Sequence, residues 1–93
     1  MILHHIQSSA TQSPALKLCL RYINTADSIL LSSNAVNCLL TKEWQSRLND
    51  YNILVLEDDV IARGLQSRLS EFKMISYADF VALTLTHNKV ISW

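Results

Sequence analysis

Two cysteines, three histidines and a run of acids at 57–59 are the residues of this chain whose types could do chemistry. Cys19 lies in PALKLCLRYI (14–23), and Cys38 stands beside Leu39 and Leu40. A thiol reacts as its thiolate, which needs a helix N-terminus or a nearby cation to stabilise it. Cys19 falls well inside a predicted helix, at the edge of a face formed by Leu16, Leu20 and Ile23. Lys17 and Arg21 project away from that side, so spacing favours packing over reactivity for Cys19, and Cys38 reads the same way. His4 and His5 are neighbours on a predicted strand and point to opposite faces, poor geometry for one metal ion. His87 stands alone near a predicted helix end, where a positive charge suits the backbone dipole. No metal site is expected.

Asp58 and Asp59 follow the third apolar run, where a phospho-acceptor would sit. That chemistry also needs acids after the first strand to hold magnesium, and HHIQSS has none. Acids at a helix start are accounted for by the dipole and the free N–H groups there. The loop QSSATQS (7–13) contains no glycine, so it cannot bring its backbone close around a pyrophosphate. No nucleotide, flavin or other cofactor is expected. No Ser–His–Asp or Cys–His set is adjacent in the sequence, and no catalytic residue is assigned.

The elements that must position these residues alternate. ILHHI (2–6) reads as a short strand, and Ser13 with Pro14 reads as N-cap and first position of a helix. SILL (28–31) is a second strand, followed by helical material through Ala35, Val36, Leu39 and Leu40. A break near Thr41 leads to a helix holding Trp44 and Leu48. ILVL (53–56) is continuous, as a strand buried on both faces should be. The short helix after it stops at Gly64. KMIS (73–76) is a fourth strand, Ser76 and Asp79 make a capping box for the next helix, and KVISW (89–93) is a fifth strand or an apolar tail. Strand and helix in alternation predict a three-layer α/β fold of flavodoxin-like type, a small parallel sheet with helices on both faces.

The chain of 93 residues fits one small domain, with 49% hydrophobic and only 17% charged residues. Such a surface carries apolar patches for a partner to cover. Eight basic and eight acidic residues cancel, which removes the clustered positive charge that independent nucleic-acid binding requires. No apolar stretch approaches the roughly 20 residues that cross a bilayer, and MILHHIQSS lacks the basic start of a secretion signal. Two cysteines make no disulfide framework, and a reducing cytosol is the expected compartment. Ile91 and Trp93 are expected to dock against protein, on the chain's own sheet or a neighbouring subunit, because an aromatic at a chain end otherwise frays.

DDVIARGL (58–65), then YADFVALTLTH (77–87), Trp93 and the opening ILH (2–4) together resemble the TusB/DsrH family, over residues 1–93 as one domain. The resemblance implies a DsrE/F/H-like α/β subunit that assembles with TusC and TusD into a dimer of heterotrimers. It implies sulfur taken as persulfide from TusA and handed to TusE, for 2-thiolation of the wobble uridine of tRNA. The related DsrE–DsrF–DsrH complex serves sulfur oxidation instead. In both, the sulfur-carrying cysteine is attributed to the TusD/DsrE subunit, which implies a mainly structural part for this chain, without membrane or direct tRNA contact. Cys19 coincides with a cysteine of DsrH-type members that some TusB members lack, so a persulfide role for Cys19 stays open. The chain departs from the family at Ser9-Ala10, where Ser-Pro is common, and at Ser33-Asn34, where Asp-Gly is common. Asn34 is expected to take the left-handed conformation of that glycine.

Overall fold

SILL becomes the centre of the molecule. In the computed structural model, which describes residues 1–9 and 11–93, it forms β2 (Ser28–Leu31), with every residue buried. Around it lie β1 (Ile2–Ile6), β3 (Asn52–Leu56), β4 (Lys73–Ile75) and β5 (Lys89–Ser92) in the order β4-β3-β2-β1-β5. All four pairings are parallel, with Leu30 opposite His5 on one side and Leu54 on the other. A central parallel strand is covered on both faces, which is why its apolar run does not alternate with polar residues. Ala10, one of the positions that departs from the family pattern, lies outside the described residues.

The helices form where the sequence signals stand. α1 (Ala15–Tyr22) starts one residue later than expected, with Pro14 rather than Ser13 at the N-cap position, while the Ser13 hydroxyl still accepts the Ala15 N–H at 3.2 Å. The stretch Ser33–Leu40 is a 3₁₀-helix, which ends at Thr41. Thr41 then caps α2 (Lys42–Leu48), its hydroxyl accepting the Trp44 N–H. At the end of α3 (Glu57–Ala62), Gly64 takes φ 65°, and the N–H groups of Gly64 and Leu65 close onto the carbonyls of Ile61 and Val60 at 3.0 Å each. Those two bonds make a Schellman cap, whose apolar partners Val60 and Leu65 are both buried. Ser76 and Asp79 complete their capping box at the start of α4 (Tyr77–Thr86).

The pleat sends alternate strand residues into two separate cores. Ile6, Ile29, Leu31 and Val55 pack beneath α1, the 3₁₀-helix, α2 and α3, with Leu16, Cys19, Val36, Leu39, Trp44, Val60 and Leu69. On the other face, Leu3, Leu30, Leu54 and Ile75 pack against Phe80 and Leu83 of α4. Cys19 is at the centre of the α1 contact rather than its edge, because Ala15, Leu16 and Cys19 are the buried residues of that helix while Leu20 and Ile23 are half-buried.

Candidate functional site

Cys19, the thiol with a persulfide role to test, is 0% exposed. Burial pushes it up to about 11, and the negative charge of Asp27 adds to the rise. Near neutrality such a group is a thiol, packed between strand and helix with no stabilised anion to react. Cys38 is also buried. Among the described residues, no three His, Cys, Asp or Glu side chains converge to hold a metal.

Ligands of open parallel sheets bind beyond the carboxyl ends of the strands. That edge of this chain is occupied by its own polar side chains. Ser33 has φ 52°, a left-handed conformation that costs a non-glycine residue roughly 1–2 kcal/mol. Its N–H donates to Asp59 Oδ2 at 2.7 Å and its carbonyl accepts from Arg63 Nε at 3.2 Å. Arg63 also donates to Asn34 Oδ1 at 2.8 Å. Two expectations are corrected here. The left-handed residue of this turn is Ser33, not Asn34, since Asp59 and Arg63 hold Ser33 from both sides. And Asp59 does more than favour its own helix start, because it reaches across to the turn after β2. The IARGL segment thus has a mechanical meaning, with Arg63 clamping a turn and Gly64 ending the helix that carries it.

His4 and His5 do face opposite ways. His5 Nε2 stands 2.7 Å from Ser32 Oγ, with its ring against Phe80 at 5.2 Å between centroids. Burial lowers the His5 pKa, and the Asp59 charge opposes that shift. His4 is buried on the other face, between Asp27 at 3.0 Å and the Trp93 indole, whose Nε1–H donates to His4 Nδ1 at 3.0 Å. Burial would raise the Asp27 carboxyl, but hydrogen bonds from His4 and from the Ile2 and Asn24 N–H groups outweigh it and the net shift is downward. Asp27 escaped the sequence reading because only the pairing of β1 with β2 and β5 brings residues 4, 27 and 93 together. His87, read as a cation at a helix end, is buried; its Nδ1 lies 2.8 Å from the Leu83 carbonyl and its Nε2 3.2 Å from Ser28 Oγ.

Of the two residues expected to meet a partner, Ile91 is half-buried opposite His4 in β5. Trp93 rests on the chain's own surface, stacked on His4 and Tyr22, with its backbone N–H donating to the His5 carbonyl at 3.0 Å. Tyr22 beside it is exposed, and a longer apolar stripe runs along α4. Tyr77, Val81 and Leu85 fall four residues apart along the outer side of α4 and are 61%, 50% and 83% exposed. Asp79, within the capping box, is the single charged residue of that helix. With Phe80 and Leu83 against the sheet and Tyr77, Val81 and Leu85 outward, α4 carries large apolar side chains on two sides, as a helix covered by protein does. No helix of the described residues is long and apolar enough to cross a membrane.

Known proteins resemble most of this chain. The family model described as DsrH like protein matches residues 8–90. Protein TusB of Yersinia enterocolitica is 39% identical over 82 residues, covering 84% of this chain and 86% of the relative. Protein TusB of Yersinia pestis is 40% identical with the same coverage. Among solved structures, the ychN protein from E. coli superposes with a TM-score of 0.78 at 16% identity, covering 99% of this chain and 97% of that one, a likeness of fold. Protein Tm0979 from Thermotoga maritima gives 0.66 at 27% identity, covering 94% of each.

Proposed function

This chain belongs to the DsrH-like protein family, and from that premise we propose that it is the TusB-type subunit of a cytoplasmic sulfur relay for 2-thiolation of the wobble uridine of tRNA. Its part is to hold the assembly together, beside TusC-like and TusD-like subunits in a dimer of heterotrimers. TusA supplies the sulfur and TusE receives it. The observation that carries this reading is the outer side of α4, where Tyr77, Val81 and Leu85 are exposed on a helix almost without charge. An apolar stripe of that kind suits a subunit interface and serves no purpose facing water.

The sulfur travels on a partner's cysteine in this reading, since the Cys19 thiol is buried and held protonated. The chain needs no cofactor and has no activity of its own. It makes no direct contact with tRNA, because eight basic against eight acidic residues leave little counterion release to drive binding. A DsrH-type role in sulfur oxidation is the second reading, since the matching family model carries the description DsrH like protein.

Loss of the gene should abolish 2-thiouridine at the wobble position, and both the wild-type chain and Cys19→Ser should restore it. Intact mass of this chain within a persulfide-loaded complex should show no added sulfur. Normal thiolation without the gene would defeat the proposal. Sulfur found on Cys19, with thiolation lost in an assembled Cys19→Ser complex, would make this chain a carrier.

A further inference from the structure

We propose that Trp93, His4 and Asp27 form a proton-operated latch, which seats the indole at the end of β5 only while His4 is neutral. An indole N–H can donate but never accept. The 3.0 Å bond from Trp93 Nε1 to His4 Nδ1 therefore requires Nδ1 to be unprotonated, and it puts the ring's hydrogen on Nε2, which faces Asp27 Oδ2 at 3.0 Å. His4 is 2% exposed, so water is not at hand to replace either partner.

When His4 takes a proton from solvent, it gains an N–H on Nδ1 that points at the indole N–H. Two donors cannot share a hydrogen bond, and one of the two partners of His4 must go. Asp27 stays. Its carboxylate is tied by the Ile2 N–H at 2.9 Å and the Asn24 N–H at 3.2 Å, and an imidazolium strengthens its pairing. Trp93 is the partner with room to move, its indole half-buried at the edge of the sheet and stacked on Tyr22, which is itself exposed, while its backbone N–H stays on the His5 carbonyl. The groups around His4 leave the switch to this one ring. The partners of His4 are Asp27, from the segment before β2, and the Trp93 indole, with Ile91 of β5 opposite in register; from α1, the Cys19 thiol feels the Asp27 charge and Tyr22 stacks on Trp93. Lys17 and Arg21 of α1 and Lys89 of β5 are exposed to solvent. His5 lies on the opposite face of the sheet.

Nuclear magnetic resonance of the ¹⁵N-labelled full chain tests this over a series of falling pH. At the start, His4 should be the Nε2–H tautomer and the Trp93 indole N–H should be protected. As His4 protonates, exchange of the Trp93 indole with water, divided by the intrinsic rate at each pH, should rise on the order of tenfold, the loss of one hydrogen bond, while the same ratio for buried Trp44 stays unchanged. The rise should persist in His5→Gln and vanish in His4→Gln. An Nδ1–H tautomer at the start would overturn the latch, as would a His4 that stays neutral to the acid limit. So would a Trp93 indole indifferent to His4 protonation. These wild-type readings decide the matter even if a variant fails to fold.

Discussion

The two faces of the sheet receive the same strands and are finished differently. Beneath α1, the 3₁₀-helix, α2 and α3, the chain buries Ile6, Ile29, Leu31 and Val55 with side chains from each of those segments. On the other face α4 alone covers Leu3, Leu30, Leu54 and Ile75, and none of its own residues is fully buried. The cause is connectivity. The steps from β1 to β2, β3 and β4 all lay their helical segments on one face, and only the crossover from β4 to β5 crosses the other. The first face explains how the chain folds. The second explains why a folded chain still presents Tyr77, Val81 and Leu85 to water.

The comparison breaks if the two faces respond alike to substitution. Leu31→Ala, in the dense core, should cost the isolated chain about 2–5 kcal/mol in urea unfolding; a loss under about 1 kcal/mol would mean that this core is not the stabilising one. Cys19→Ser places a hydroxyl in the same layer and should cost about 1–3 kcal/mol, with function retained. Stability unchanged by the serine would place the thiol nearer water than its burial indicates.

Acid should weaken the fold in two stages. His5 and Asp27 both have folded pKa values lowered from their ordinary ones, so each contributes stability above its unfolded value and loses it as pH falls through the folded one. Melting temperature should decline first as pH drops below the ordinary imidazole range, then further through the carboxylate range. His5→Gln should shrink the first decline and Asp27→Asn the second. A melting temperature flat across both ranges would contradict the assigned shifts. Smallest of these effects, Ser33→Gly should relieve the left-handed turn and raise stability by about 0.5 kcal/mol, the steric gain less glycine's added unfolded-state entropy. A loss there would show that Asp59 and Arg63 already remove the strain.

Much of this architecture was legible because the signals were local. Ser13-Pro14, Thr41, Gly64 and the Ser76–Asp79 box each act within a few residues, and each ends or starts an element within one residue of where the sequence indicates. The continuous apolar runs of β2 and β3 marked buried parallel strands for the same reason. What stayed hidden depends on distant pairing. Asp27, His4 and Trp93 meet only across three strands, and Ser33 rather than Asn34 turns left-handed only because Asp59 and Arg63 arrive from α3. The outer side of α4 was visible as an uncharged sequence, YADFVALTLT, but periodicity alone did not say that one helix would serve a whole face.

The central claim is that the second face is completed by partner subunits. It is tested most directly by co-expressing the chain with TusC-like and TusD-like partners and measuring how much of them is recovered with wild type and with Leu85→Asp. Leu85 is 83% exposed, so the substitution should cost the isolated chain no more than about 1 kcal/mol, chiefly from a negative charge in the last turn of α4. The account predicts a chain that still folds, with a slightly lowered melting curve, together with loss of most of the recovered partners. Equal recovery of both partners by a folded Leu85→Asp chain would contradict it.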